Sequence, residues 1–177
     1  MKKIHILILL LLSNWACKKD PLIKDAKYVQ GEILVGINAN AELKDVLDVF
    51  NKLNFEIKEV MGFNYSVPIV ADSLSGFVNF LNNKSYINCH GFRAYAFYLK
   101  NEALVKNCSI YFDLNQSNQN DLFNCIQTGA WRERHEDTKC FYLGIPVGSE
   151  HYWLDELKKY PFVKWTELNA YMDVHVD

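Results

Sequence analysis

The feature that most constrains the fold of this chain is an internal repeat with a period close to 77 residues. Three segments of the first half recur in the second half, in the same order and at almost constant spacing. The matched segments are Gly31–Asn38 with Cys108–Asn115, Val67–Ile69 with Ile145–Val147, and Phe92–Tyr95 with Leu168–Tyr171. This pattern indicates an old duplication, with two unrelated halves as the alternative, and it favours two units of similar fold.

Each half is predicted to follow the order β-α-β-β-α-β. In the first half, apolar residues at helical spacing predict helices at 43–53 and 74–81. Segments rich in β-branched and aromatic residues predict the strands, which cover 32–38, 55–60, 63–69 and 87–99. The second half repeats this order. Its predicted strands cover 109–115, 131–135, 139–147 and 162–175, and its predicted helices cover 117–126 and 153–160.

Two helices on one face of a four-stranded antiparallel sheet form the ferredoxin-like arrangement. The sequence therefore predicts an α+β protein of two tandem ferredoxin-like units with antiparallel sheets, at residues 31–100 and 107–177. Each unit has about 70 residues, near the lower limit for an independent core, so we expect the units to pack together. Strand 131–134 lies at a sheet edge in this arrangement, where its charges would discourage pairing with other chains.

The first sixteen residues have the organisation of a signal peptide. Lys2 and Lys3 precede an apolar run at 4–12, which is too short for a bilayer because a spanning helix needs about 20 residues. Ala16 and Cys17 follow at the expected cleavage position. The segment resembles a bacterial lipoprotein signal, in which the cysteine becomes the lipidated N-terminus.

The lipoprotein resemblance implies a location for the mature protein. Residues 17–30 would form a lipidated tether, and the charged residues directly after Cys17 look like the mature start of lipoproteins from Bacteroidetes-type bacteria. We therefore expect attachment to the outer membrane of the cell envelope through lipid on Cys17, at the periplasmic or the surface side. An ordinary cleaved signal followed by a chance cysteine is the alternative.

The charge balance argues against one large class of partners. Without residues 1–16, which contain two lysines and no acid, the chain has 17 basic and 21 acidic residues and a formal net charge of −4. Nucleic-acid binding requires a basic surface, so no nucleic-acid partner is expected. Membrane attachment would come from the lipid rather than from a basic amphipathic helix.

Strand motifs near both ends of the mature part resemble the propeptides of subtilisin-like proteases, particularly the fervidolysin-type prodomain. Val29–Val35 matches the Val-x-Gly-Glu strand that opens that family, and Val163–Tyr171 is similar to the strand that closes it. The resemblance implies that an open sheet face packs on the protease while the C-terminal tail lies in the active-site cleft. A standalone copy would act as an inhibitor or folding helper in trans.

Four cysteines besides Cys17 are expected in an oxidising compartment, where disulfides form. Cys89, Cys108, Cys125 and Cys140 allow three pairings. A bond between Cys108 and Cys140 suits the predicted second unit, Cys125 competes with it, and a bond from Cys89 would tie the units together. Four unpaired thiols are the alternative. No metal site is expected, because no C-x-x-C pair occurs.

No sequence motif indicates catalysis. The histidines form no H-E-x-x-H motif, and G-x-S-x-G, P-loop and G-x-G-x-x-G patterns do not occur. His135 is interpreted as part of a polar turn. We therefore expect a non-enzymatic protein without a cofactor.

Aromatic residues on predicted strands are the remaining indication of function. The candidates for an open sheet face are Tyr95, Tyr111, Tyr142 and Trp165. Such a face is expected to be covered, because large exposed apolar patches are uncommon on monomers. Either the two sheets cover each other, or the face binds a partner together with the tail from Met172 to Asp177. The partner would be an exported subtilisin-like protease or another envelope protein, and a surface-assembly or ligand-binding lipoprotein unrelated to proteases is the alternative function.

The lipoprotein prediction is tested by Cys17→Ser in the native host. Without the thiol no lipid can be attached, so the variant should leave the membrane fraction or retain its signal segment. Cell fractionation followed by immunoblotting and mass measurement reads out both results. A variant that fractionates and is processed like the wild type would contradict lipidation at Cys17.

Overall fold

The computed structural model describes residues 28–87, 94–99, 102–106, 111–135 and 138–170. These residues form four α-helices and two antiparallel sheets, which confirms the α+β class. The residues from Val29 to Asn169 form one compact unit. The predicted signal peptide and most of the predicted tether lie outside the described residues.

Apart from β5, which lies in the segment expected to join the two units, the strands and helices follow one another along the chain in the order that the sequence predicts. The strands are β1 (Tyr28–Ile37), β2 (Glu56–Met61), β3 (Asn64–Val67), β4 (Tyr95–Leu99), β5 (Glu102–Lys106), β6 (Tyr111–Phe112), β7 (Arg132–Arg134), β8 (Lys139–Gly144) and β9 (Val163–Ala170). The helices are α1 (Leu43–Lys52), α2 (Leu74–Asn82), α3 (Gln116–Thr128) and α4 (Glu150–Leu157), and a single 3₁₀ turn at Ala71–Ser73 precedes α2.

The first sheet has the strand order β6-β2-β8-β1-β9. Helix α1 connects β1 to β2, and α4 connects β8 to β9. The elements β1, α1, β2, β8, α4 and β9 therefore follow the order β-α-β-β-α-β along the chain. Across the sheet, the fourth strand of this path lies beside the first, followed by the third and the second. β1 and β8 pair antiparallel from Glu32 opposite Gly144 to Ile37 opposite Lys139. β2 pairs antiparallel with the other side of β8, and β6 adds two residues at the β2 edge.

The second sheet has the strand order β4-β5-β3-β7. Its elements β3, α2, β4, β5, α3 and β7 follow the same path along the chain and have the same spatial strand order. All six elements lie between β2 and β8, so the second path is inserted into the connection between two neighbouring strands of the first. The edge position expected for the charged strand at 131–134 is confirmed, because β7 is a terminal strand of this sheet.

The expected tandem arrangement of units 31–100 and 107–177 is not confirmed, because strands from both halves enter both sheets. β5 occupies most of the segment that was expected to join the units, and it pairs with both β4 and β3. Within the described residues, the segment expected to open the second unit contributes the two residues of β6, at an edge of the first sheet rather than in the centre of a sheet of its own. Strand pairing depends on complementarity between distant segments, which the periodicity within each segment does not encode.

The chain leaves the first sheet and returns to it at one narrow point. Gly62 directly follows β2 and has a φ of +83°, a backbone conformation that favours glycine. A Cβ at this position would lie 2.1 Å from the carbonyl oxygen of Thr138, which directly precedes β8. Glycine is therefore required by the backbone conformation and by the close approach of the two strand ends.

Helix α1 explains why the core forms on one side of the first sheet. The residues that it buries recur at helical spacing: Leu43, Val46, Leu47 and Phe50. Phe50 meets Phe141 of β8 edge to face, with 5.1 Å between the ring centroids. Burial of each large apolar side chain stabilises the fold by about 1.5–3 kcal/mol, so the paired strands and this helix stabilise one another.

A buried ion pair joins the two sheets. Lys139 of β8 has a fully buried side chain, and its Nζ donates to Glu133 of β7 and, at 2.5 Å, to the carbonyl oxygen of Ala41. The same ammonium lies 4.5 Å from the ring centroid of Phe63. The other carboxylate oxygen of Glu133 accepts the N–H of Leu43 at 3.2 Å, in the first turn of α1. The pair therefore connects β8, β7 and α1.

Replacing Lys139 with Met should lower the free energy of unfolding by about 3 kcal/mol, because the Glu133 carboxylate loses its buried cation. The double variant Lys139→Met/Glu133→Gln should recover part of this loss, since no buried charge is left without a counterion. Urea unfolding followed by circular dichroism measures both values. Equal destabilisation of the single and the double variant would contradict an electrostatic role for the pair.

Candidate partner-binding face

One side of the first sheet packs against α1 and α4, and the opposite side carries the candidate site. The buried β1 residues Ile33, Val35 and Ile37 face the helices, so the alternate residues point the other way. We call this opposite side the open face. Its residues are Glu32, Leu34 and Gly36 on β1, Glu56, Lys58, Glu59 and Met61 on β2, Cys140, Tyr142 and Gly144 on β8, and Trp165, Glu167 and Asn169 on β9.

The centre of the open face is apolar. The indole of Trp165 covers Gly36 so closely that a Cβ at Gly36 would lie 2.0 Å from its Cε2 atom. Leu34 and Tyr142 are direct cross-strand partners, and Cys140 is the partner of Gly36. Leu34, Cys140, Tyr142 and Trp165 are all half-buried. The missing side chain at position 36 thus allows the indole to lie against the sheet beside these residues.

A hydrogen-bonded cluster around Glu32 forms one corner of the open face. One carboxylate oxygen of Glu32 accepts from Lys58 Nζ at 2.7 Å, and the other accepts from the Tyr142 hydroxyl and, at 2.9 Å, from Asn169 Nδ2. Burial alone would raise the pKa of Glu32, but these three hydrogen bonds outweigh it and lower the pKa below its ordinary value. The bond to Glu32 in turn raises the pKa of Lys58. The cluster fixes side chains from four strands.

Carboxylates dominate the charge of the open face. Besides Glu32, the face contains Glu56, Glu59 and Glu167, whereas Lys58 is its one cation, so its formal net charge is −3. Glu56 has 69% of its side chain exposed, and Glu167 is also exposed. An apolar centre with a charged, solvated periphery is the usual anatomy of a protein-binding surface. The sign of this charge favours a partner with a basic surface.

The structure brings together two of the aromatic residues that the sequence singled out. Tyr142 and Trp165 both lie on the open face, on strands that flank β1. Tyr111 corrects the expectation, since it is completely buried and packs near Tyr86, with 6.4 Å between the ring centroids. It is the cross-strand partner of Val60 of β2, which is completely buried, so the Tyr111 side chain lies on the helix side of the sheet and is not available to a partner. Tyr95 lies on β4 of the second sheet and is therefore not part of the open face.

The expected tail element lies beyond the described part of the chain. β9 ends at Ala170, and Met172 and Asp177 are outside the described residues. Their contribution to binding stays a prediction.

A cleft of about 400 Å³ lies beside the Glu133 ion pair, on the second sheet. Phe123, Ile126 and Trp131 form apolar walls. The polar lining residues are Glu42, Lys44, Tyr65, Gln127 and Glu133. Burial and the neighbouring Glu133 carboxylate raise the pKa of the Tyr65 hydroxyl well above its ordinary value. The hydroxyl is therefore neutral at physiological pH. The cleft is large enough to hold a small apolar molecule.

The cysteines that can be described are unpaired. Cys125 is buried in α3 and Cys140 is half-buried in β8, both as free thiols, so neither takes part in the disulfides expected from the sequence. Cys125 lies on a helix of the inserted path and Cys140 on a central strand of the first sheet, whereas the tandem arrangement placed both in one unit. Burial raises the pKa of Cys125, and it raises the pKa of Cys140 to about 11. Both thiols are therefore protonated at neutral pH. Cys89 and Cys108 lie outside the described residues.

The polar groups around Cys125 form a closed network. Asp121 accepts from Lys84 Nζ at 3.0 Å and from the Tyr86 hydroxyl at 2.8 Å, and these bonds anchor α3 to the segment that follows α2.

Among the described residues, no group of three or more potential ligands is placed to hold a metal ion. His135 Nδ1 lies 3.0 Å from the carbonyl oxygen of Ala39, a contact that ties the loop after β7 to the loop before α1.

Several residues of the open face were not singled out from the sequence. They include Leu34, Gly36, Glu59 and Met61. The alternation of buried and outward residues along β1 was a usable signal, because it assigns Glu32, Leu34 and Gly36 to one side. The contact of Gly36 with Trp165 had no local signal, since it depends on the pairing of β1 with β9.

Comparisons with models of protein families, with curated proteins and with solved structures found no match for this chain. Within the described residues, the helices are too short or too polar to span a bilayer.

The Glu32 cluster predicts a specific pH dependence of stability. Because the folded state lowers the Glu32 pKa, its contribution is fully present above about pH 4.5, the ordinary value, and is lost as the pH falls through the folded pKa. The stability advantage of wild type over Glu32→Gln should therefore be largest near pH 7 and shrink below pH 4.5. Urea unfolding across this range measures it, with Glu167→Gln as the control on the same face. A constant advantage would contradict the assignment.

Proposed function

We propose that the chain is a non-enzymatic binding module, held at the cell envelope by lipid on Cys17, that binds a partner protein through the open face. The observation that carries the proposal is the half-buried apolar centre of this face, formed by Leu34, Tyr142 and Trp165 within a carboxylate-rich periphery. Large aromatic anchors provide most of the energy at protein interfaces, and surrounding charges select the partner.

The state of the charged groups supports binding rather than catalysis. Glu32 is held by Lys58, Tyr142 and Asn169, so its carboxylate has a lowered pKa and is a poor proton donor or acceptor near neutral pH. The Cys140 thiol on the same face has a raised pKa of about 11 and is a poor nucleophile. These groups rigidify the surface on which the apolar centre is displayed.

The resemblance to subtilisin-like protease propeptides supports a subtilisin-like protease as the partner. In that family the sheet face opposite the helices packs on the protease, and the open face occupies the equivalent side of the first sheet. We infer that two ferredoxin-like units are present, one nested in the other, and that the outer unit is the one that binds. The partner is then an exported subtilisin-like protease with a basic rim around its docking surface, which the chain inhibits or helps to fold. The tail from Met172 to Asp177 would enter its cleft.

The decisive experiment reverses charge on the open face. Glu59→Lys/Glu167→Lys should weaken inhibition of a subtilisin-type protease at least tenfold at low salt, because basic groups on the protease would then be repelled. Adding salt should weaken wild-type inhibition but not that of the variant. The matched control is Asp48→Lys/Asp155→Lys, which reverses two exposed charges on α1 and α4 and should inhibit like the wild type.

Each result of this experiment has a fixed meaning. Equal inhibition by both double variants would remove the open face from the mechanism.

Deleting residues 172–177 should abolish inhibition while stability is retained. A truncated chain that still inhibits would show that the tail takes no part in inhibition. If subtilisin-type proteases are not inhibited at micromolar concentrations, the protease is the wrong partner, and the face should be tested with other basic envelope proteins.

The cleft beside Glu133 favours a ligand-binding lipoprotein as the second candidate function. Its volume of about 400 Å³ lies within the range of small-molecule sites, and its lining combines apolar walls with polar groups, as such sites do. Ile126→Trp would fill the cleft from α3. This variant should lose binding of small apolar ligands in calorimetry yet inhibit proteases like the wild type, which separates the two candidates.

A further inference from the structure

A pocket of about 380 Å³ lies where the end of α1, the start of β2 and the start of α3 meet. This volume lies within the range of small-molecule sites. The pocket shares no lining residue with the cleft beside Glu133, so the two are separate. We call it the carboxamide pocket, because its polar lining includes Asn51, Asn115, Gln116 and Gln119.

Backbone hydrogen bonds fix the walls of the carboxamide pocket. After β6 the chain stays beside β2, because the N–H of Leu114 donates to the carbonyl oxygen of Ile57 at 3.0 Å. The side-chain oxygen of Asn115 then accepts the N–H of Asn118 at 3.0 Å and caps α3. The start of α3 is thereby held beside β2, so the pocket is built from backbone that the fold positions.

A buried pair of carboxamides forms one wall of the pocket. Gln119 is only 2% exposed. Asn51 Nδ2 donates to Gln119 Oε1 at 2.7 Å, while Gln119 Nε2 donates to Asn51 Oδ1 at 3.1 Å and to the Leu114 carbonyl oxygen at 2.6 Å. Among the described residues, nothing uses the second N–H of Asn51 Nδ2 or the second lone pair of its oxygen. This wall therefore offers a ligand one donor and one acceptor from the same side chain.

Two further carboxamides line the pocket at the start of α3, and both side chains are exposed. The oxygen of Asn115 caps the helix, whereas its Nδ2 group donates to no residue in the described part of the chain. Gln116 Nε2 donates to Asn120 Oδ1 at 3.2 Å. Its oxygen accepts no hydrogen bond from a described residue. Solvent-accessible donors and acceptors are therefore adjacent here as well.

The charged part of the lining determines the charge of a suitable ligand. Glu56 and Asp113 contribute carboxylates, and none of the described lining residues is Lys, Arg or His. An anionic ligand would therefore be repelled. An ammonium group has donors only, so it would leave the carboxamide N–H groups without acceptors. A hydroxyl group both donates and accepts, so it suits the carboxylates and the carboxamides alike.

We propose that the carboxamide pocket binds a neutral saccharide. The edge of a sugar ring carries hydroxyl groups, which form hydrogen bonds with Asn51, Asn115 and Asp113. The faces of the ring carry C–H groups, and one of them lies against the apolar part of the lining. That part consists of Phe55, Ile57 and Leu114, which are at most 6% exposed. Only Glu56 lines the pocket and also belongs to the open face, so the proposal is independent of the proposed function.

An NMR titration with glucose, galactose, mannose and N-acetylglucosamine tests the site. At least one of these sugars should bind with a Kd of about 1 mM or lower, and the side-chain amide signals of Asn51 and Asn115 should shift. The amide of Gln127, which lines the cleft beside Glu133, is the internal reference and should not shift. The proposal is overturned if none of the four sugars shifts the Asn51 and Asn115 signals at about 50 mM, or if only Gln127 responds.

Asn115→Asp separates binding from folding, because aspartate also caps helices but has no N–H donor. The variant should bind the sugar at least about tenfold more weakly. The matched control is Asn124→Asp, which makes the same charge change at an exposed position of α3 outside the pocket and should bind like the wild type. Circular dichroism checks that both variants are folded, and Gln116→Glu replaces Asn115→Asp if the cap is disturbed. Equal binding by the pocket variant and the control would overturn the site.

Charged sugars test the ligand class. Glucuronate and glucosamine should each bind more weakly than the best neutral sugar, because the first is repelled by Glu56 and Asp113 and the second leaves carboxamide donors unpaired. The same NMR titration measures both. Tighter binding of either charged sugar would overturn the assignment to a neutral saccharide.

Discussion

The pairing of β1 with β8 is the constraint on which the rest of this structure depends. Glu32 and Gly144 are direct partners although 112 positions separate them in the chain, and the entire second sheet forms from the segment between β2 and β8. Until these strands meet, α1 has no complete sheet to cover and Lys139 cannot reach both Glu133 and Ala41. Such distant contacts cost loop-closure entropy early, so a fold of this kind is expected to form slowly.

Local elements were largely predictable from the sequence, whereas their partners were not. The alternation around Ile33 and Val35 and the helical spacing of Val46, Leu47 and Phe50 are properties of short segments, and they predict β1 and α1 close to their observed positions. The nesting is a property of distant pairs. A β-α-β-β-α-β order within each half is compatible with two units in tandem and with one path inserted into another. Only the observed strand pairing distinguishes the tandem from the nested arrangement.

The candidate site also contains some residues that were predictable from local sequence and others that depend on distant strand pairing. Tyr142 and Trp165 were identifiable as aromatics on strands, and both lie on the open face. Tyr111 was indistinguishable from them by sequence, because its burial results from its pairing with the inward-facing Val60 of β2 rather than from its own strand pattern. Gly36 shows the converse: it is an ordinary strand glycine in sequence, but in the fold it is the position that admits the Trp165 indole.

The point of insertion explains how the open face can coexist with a second sheet of similar design. Gly62 and Thr138 bring the two connections together at one end of β2 and β8, and the Lys139–Glu133 pair fixes the inserted strands beside α1 rather than against the opposite side of the first sheet. A buried ion pair contributes little net stability compared with an apolar pair of similar size, but it tolerates few alternative arrangements because a displaced partner leaves a buried charge uncompensated. The pair is therefore best understood as selecting where the insertion docks. The apolar centre of the open face stays accessible as a consequence.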